Sequence, residues 1–72
     1  MVHARLTSAQ RAVLRCLLDH MTVKELAREL SVAVSTARWH IRRIHAATDT
    51  HTLSDLVFWA VEHRDCCIGS PD

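Results

Sequence analysis

Seventy-two residues suffice for one small domain; 49% of them are apolar and 24% charged, the balance of an ordinary globular chain rather than a disordered one. One Gly, one Pro and no Tyr leave few turns and a poor strand signal, so composition favours an all-helical fold. No apolar run approaches the roughly 18 residues of a membrane span, and no charged-then-apolar leader opens the chain. Cys16, Cys66 and Cys67 are odd in number with no ladder of spacings, which argues against a disulfide framework and for a reducing cytoplasm.

The net charge of +1 hides an asymmetry. Residues 1–21 set Arg5, Arg11 and Arg15 against Asp19. Residues 22–47 set Lys24, Arg28, Arg38, Arg42 and Arg43 against Glu25 and Glu29, with His40 and His45 alongside. Residues 48–72 reverse the sign, with Asp49, Asp55, Glu62, Asp65 and Asp72 against Arg64. Positive charge is concentrated on the central segment, where a polyanion would bind.

In chain order, Thr7 and Gln10 have capping-box spacing and open a first helix over about 8–20. Ala9, Val13, Leu14, Leu17 and Met21 form its buried stripe. Thr22 and Glu25 repeat the spacing and start a second helix at Val23, with Leu26, Ala27 and Leu30 inward. Ser31-Val32-Ala33 is a turn that lacks Gly, and Ala33 is a poor cap where Ser, Thr or Asp is preferred.

The third helix spans about 34–47. Val34, Ala37, Ile41 and Ile44 make one apolar stripe; Ser35, Trp39, Arg42 and Ala46 lie opposite, flanked by Thr36, Arg38 and Arg43. A Trp opposite the core stripe needs a ligand, a partner or a neighbouring helix to cover it. Residues 48–52 form a loop, and Thr52 caps a fourth helix with Asp55 in its first turn. Leu53, Leu56, Val57 and Ala60 face the core, while Phe58 and Val61 lie off that stripe and suit either a deeply seated helix or self-association. From Asp65 onward the chain reads as a frayed tail. One domain is expected over 1–72, with its core at about 5–64.

The pieces LTSAQRAVLRCL (6–17), TVKELARELSV (22–32), STARWHIRRI (35–44) and TLSDLVFWA (52–60) together resemble the LuxR-type (GerE/FixJ/NarL-like) helix-turn-helix domain. The resemblance covers about 5–63 without a gap. It implies an all-α, four-helix domain of the winged-helix-like DNA-binding superfamily, without a wing. The implied function is sequence-specific DNA binding in transcription regulation, as a regulator or a response-regulator effector domain, with helix 3 in the major groove. Carried over residue by residue, base reading falls on Arg38, Trp39 and Arg42. Phosphate contact falls on Thr22, Val23, Lys24, Ser35, Thr36, His40 and Arg43. A dimer interface falls on the last helix, at Leu53, Leu56, Val57, Phe58 and Val61. The implied partners are double-stranded DNA, a second copy bound on an inverted repeat, and RNA polymerase, in the cytoplasm at the bacterial nucleoid. Relatives often carry Gly where this chain has His20, a capping Ser or Thr where it has Ala33, and a basic pair where it has Ala46-Ala47.

These residue types suit the task. An arginine fork bonds guanine O6 and N7 together, while Trp39 can pack on a thymine methyl or a sugar. The alternative for Trp39 is packing beside His40 or helix 2. An enzyme would need a nucleophile–base pair or a metal set. His40 and His45 stand about 140° apart around a helix, and His63 with Cys66 is too few ligands. No catalytic residue, metal or cofactor is therefore expected. The remaining alternative is a protein-interaction module that keeps the helix-turn-helix fold without specific DNA binding.

Overall fold

The computed structural model describes residues 6–64, and they form four α-helices with no strand among them. These are α1 (Ser8–Leu18), α2 (Val23–Glu29), α3 (Val34–Thr48) and α4 (Leu53–Glu62). No helix of the described residues is long and apolar enough to cross a membrane. Cys66 and Cys67, the His63–Cys66 pairing and the tail from Asp65 lie outside the described residues.

Threonine starts three of the four helices. Thr7 Oγ1 accepts from the Gln10 N–H at 3.1 Å, and Gln10 Oε1 accepts from the Thr7 N–H at 2.9 Å. Thr22 and Glu25 form the same reciprocal pair at 3.1 and 2.8 Å. Thr52 Oγ1 accepts from the Asp55 N–H at 3.0 Å. Each pair satisfies backbone donors that the first turn of a helix leaves without an acceptor. At α3 Ala33 makes no side-chain cap.

The helix ends follow from backbone geometry. His20, Ser31 and Asp49 all take positive φ (62°, 57° and 56°), ending α1, α2 and α3 without a glycine. A left-handed conformation costs a β-carbon-bearing residue more than it costs glycine, least for a short polar one such as Asp. After α2, the Val32 N–H returns to the Ala27 carbonyl at 2.9 Å, which closes the turn tightly before α3 begins.

The core is built from Val13, Leu14 and Leu17 of α1, Leu26 and Ala27 of α2, Ala37, Ile41 and Ile44 of α3, and Leu56 and Ala60 of α4. Ala27 and Ala37 are small and buried, and let α2 and α3 approach closely. Three expectations need correction. Ala9 is exposed, and Gln10 takes its place inside, because position 10 lies at the centre of the arc defined by Val13, Leu14 and Leu17. The Gln10 amide oxygen is satisfied there by Thr7. Leu53 is 42% exposed, since it opens α4 with no preceding turn to cover it. Thr48 belongs to α3 and not to the loop, with its hydroxyl donating to the Ile44 carbonyl at 2.8 Å. Cys16 joins the core as a free thiol, and burial, with Glu29 and Asp19 nearby, pushes its pKa up.

Candidate nucleic-acid interface

Helix α3 packs on α1, α2 and α4 with Ala37, Ile41 and Ile44 buried, and much of the rest of its circumference faces outward. Ser35, Thr36, Arg38, Trp39, Arg42 and Arg43 are all exposed, and His40 and His45 are half-buried. The separation of faces follows the 3.6-residue period of the sequence.

The outward face divides into two flanks. On one, Arg38, Ile41, Arg42 and His45 of α3 join Val23 of α2 and Leu53 of α4 around a concavity of about 550 Å³. Arg38 and Arg42 are one helical turn apart, and no other described residue holds either guanidinium. On the other flank, Arg43, Ala46 and Ala47 meet the start of α1 at Thr7 and Gln10 around about 460 Å³. Arg43 also lies over the Trp39 ring, with Cζ 5.0 Å from the centroid, and His40 meets the same indole edge-on at 5.2 Å and 68°.

The expected base-reading trio is therefore split. Arg38 and Arg42 share one concavity, whereas Trp39 is bracketed by His40 and Arg43 and remains 49% exposed. The cover that Trp39 requires comes in part from its own helix. Three residues of the first concavity, Ile41, His45 and Leu53, had no expected place in the site; the spacing of His45 from Arg38 (i+7) and Arg42 (i+3) is the signal that would have found it.

The starts of α2 and α3 differ chemically. At α2 the capping box engages the N–H groups of Thr22 and Glu25, and the Glu25 carboxylate sits in the first turn. The amides of Val23 and Lys24 are left over. At α3 no side chain caps the helix, and the first intrahelical bond runs from the Ala37 N–H to the Ala33 carbonyl at 3.0 Å. The N–H groups of Val34, Ser35 and Thr36 precede it and point out of the helix start, where an anion is favoured.

On α4, Phe58 is 67% and Val61 53% exposed. With Leu53, Val57, Leu17 and Met21 they border a mostly apolar depression of about 570 Å³, which His20 and Ser54 also line. Leu56 is fully buried beneath them and presents no surface to a partner, so its expected place in a dimer interface does not fit its burial. Among the described residues, no group of three or more His, Cys, Asp or Glu side chains is placed to hold a metal ion.

Residues 6–45 match the family described as a helix-turn-helix domain, a stretch that takes in α1, α2, the turn and most of α3. No curated protein and no solved structure matches the chain. The match covers more than half of the 72 residues, and this chain belongs to the helix-turn-helix domain family, an architecture of DNA-binding regulators.

Proposed function

We propose that the chain is a sequence-specific transcriptional regulator of the LuxR type, or the effector domain of one, with α3 seated in the major groove. The observation that carries this is the pair Arg38 and Arg42, exposed, one turn apart and side by side in a single concavity. Two arginine forks at that spacing suit guanines at neighbouring steps, at roughly 1–3 kcal/mol of discrimination for each good bidentate pair. Trp39 adds apolar contact to a thymine methyl or a sugar, stiffened by Arg43 and His40.

The phosphate backbone is held from both sides of this row. Lys24 and the amides of Val23 and Lys24 act from α2, beside the Thr22 hydroxyl. Ser35, Thr36 and the bare start of α3 act from below, and Arg43 with His40 from the far flank. The uncapped Ala33 belongs to this reading: a capping side chain would occupy an amide that a phosphate oxygen can use. A single chain makes few such contacts, so a homodimer on an inverted repeat is the working form, in the bacterial cytoplasm. Its surface is Phe58, Val61, Leu53 and Val57 of α4, bordered by Leu17 and Met21. RNA polymerase is the expected further partner once the chain sits on DNA.

The division of labour is testable by substitution. Arg42→Ala should lower preference for the selected duplex over a scrambled one by about tenfold, the loss of one bidentate base contact. Lys24→Ala should weaken both duplexes alike, by a few-fold. Quantitative mobility shifts measure both. If the two variants lower specific and scrambled binding equally, the roles assigned to them are wrong. If the parent chain binds neither duplex, the interaction-module alternative stands.

A further inference from the structure

Three hydrogen bonds at the end of α3 have only one consistent direction. The Ile44 carbonyl can only accept, so the Thr48 hydroxyl donates to it at 2.8 Å. A hydroxyl carries one proton, and that of Thr48 is now committed. The 2.9 Å contact between Thr48 Oγ1 and Thr50 Oγ1 must then be donated by Thr50. Thr50 has no second proton for His45, whose Nδ1 lies 2.8 Å from the same oxygen, so Nδ1 is the donor. The geometry thus selects the Nδ1–H form of His45. The backbone holds the relay in place: Asp49 turns left-handed, and the Thr50 N–H returns to the His45 carbonyl at 3.1 Å.

In the neutral ring this leaves Nε2 as an acceptor. His45 lines the concavity that holds Arg38 and Arg42, and Nδ1 is turned to Thr50, so Nε2 is the nitrogen left for that concavity. Positions 38, 42 and 45 form one row about 10 Å long at 1.5 Å per residue. Within it both arginines can only donate. They match the acceptor edge of guanine and offer nothing to an exocyclic amino group. His45 supplies the missing acceptor.

We propose that His45 is a specificity-determining residue. Held as an acceptor by the Thr50–Thr48–Ile44 relay, its Nε2 takes a hydrogen bond from the exocyclic amino group of a base, adenine N6 or cytosine N4, beside the bases met by Arg38 and Arg42. The role rests on the placement of α3 in the major groove.

Two measurements on the whole chain test it. Long-range nitrogen–proton correlations of the histidine rings at pH 8 should find His45 as Nδ1–H. Thr50→Val, which keeps the shape and removes the hydroxyl, should shift it toward Nε2–H. Selection from a randomised duplex pool should then show an adenine or a cytosine at one position, and the base recovered tells the two amino groups apart. His45→Ala should reduce that preference by about three- to tenfold, the size of one hydrogen bond, with other positions unchanged. Thr50→Val, which alters no proposed DNA contact, should weaken the same position alone. An Nε2–H ring in the parent chain overturns the relay whatever the DNA result. An Nδ1–H ring with arginine-dependent positions intact and no effect of His45→Ala overturns the role of His45 alone. A parent chain that selects no sequence at all overturns the DNA placement, and this role with it.

Discussion

Helices α3 and α4 each expose a large aromatic side chain, and the two exposures differ in kind. Trp39 on α3 is about half exposed, but Arg43 lies over its ring and His40 meets its edge, so the indole is already solvated by its own polar neighbours. Phe58 on α4 is more exposed and borders a mostly apolar depression, with Leu53, Val57 and Val61 on its own helix, Leu17 and Met21 across from it, and His20 and Ser54 as the polar members. The first surface is stable in water and complementary to a polyanion. The second is stabilised by being covered. One helix is thus suited to a charged, wet partner and the other to a largely apolar one.

Breaking the apolar side of this contrast should give the larger effect. Phe58→Glu should weaken self-association by at least about thirtyfold, because a buried aromatic anchor at an interface is commonly worth about 2 kcal/mol or more. Phe58 is exposed in the single chain, so its helical signal should persist. Analytical ultracentrifugation alongside circular dichroism measures both. A parent chain that sediments as a monomer at every concentration would remove α4 from the account.

The smaller effect sharpens the α3 side. Ala33→Ser supplies the cap that α1, α2 and α4 each obtain from a threonine, and should stabilise the fold by about 1 kcal/mol. For a chain of this size that corresponds to a rise in Tm of about 4–8 °C. DNA binding should not gain in step, since the new hydroxyl oxygen competes with phosphate for an amide at the helix start. Thermal melts with and without duplex separate the two effects; an affinity that rises with stability would mean that the bare start has no part in phosphate contact.

Much of this architecture was legible in the residues. The threonines at 7, 22 and 52 with their partners three positions on placed three helix starts, and the stripe of Ala37, Ile41 and Ile44 placed the outward face of α3. Periodicity assigns residues to an arc but says nothing of how far cover extends at a helix end, so Ala9 and Leu53 fell on the wrong side. Gln10 was hidden for another reason: its burial depends on one hydrogen bond back to Thr7, and polarity alone argues for exposure. Within the candidate site, the turn-apart spacing of Arg38 and Arg42 was visible, but their shared concavity depends on Val23 and Leu53, which come from two other helices. The pairing of Trp39 with Arg43 follows an i, i+4 spacing, although only His40 or helix 2 was expected from the sequence as its neighbour. The link from His45 through Thr50 to Thr48 was not visible, because it forms only once Asp49 turns left-handed.

On the proposed reading, the outward face of α3 binds the backbone and base edges of duplex DNA. The most direct test is the affinity of the parent chain for a selected duplex across a series of salt concentrations. Neutralising two to four phosphates per chain predicts that log K falls linearly with log salt, with a slope of about −2 to −4 per protomer. It also predicts a shallower slope for Lys24→Ala, by about one. A slope near zero, or no duplex bound at low salt, would contradict it.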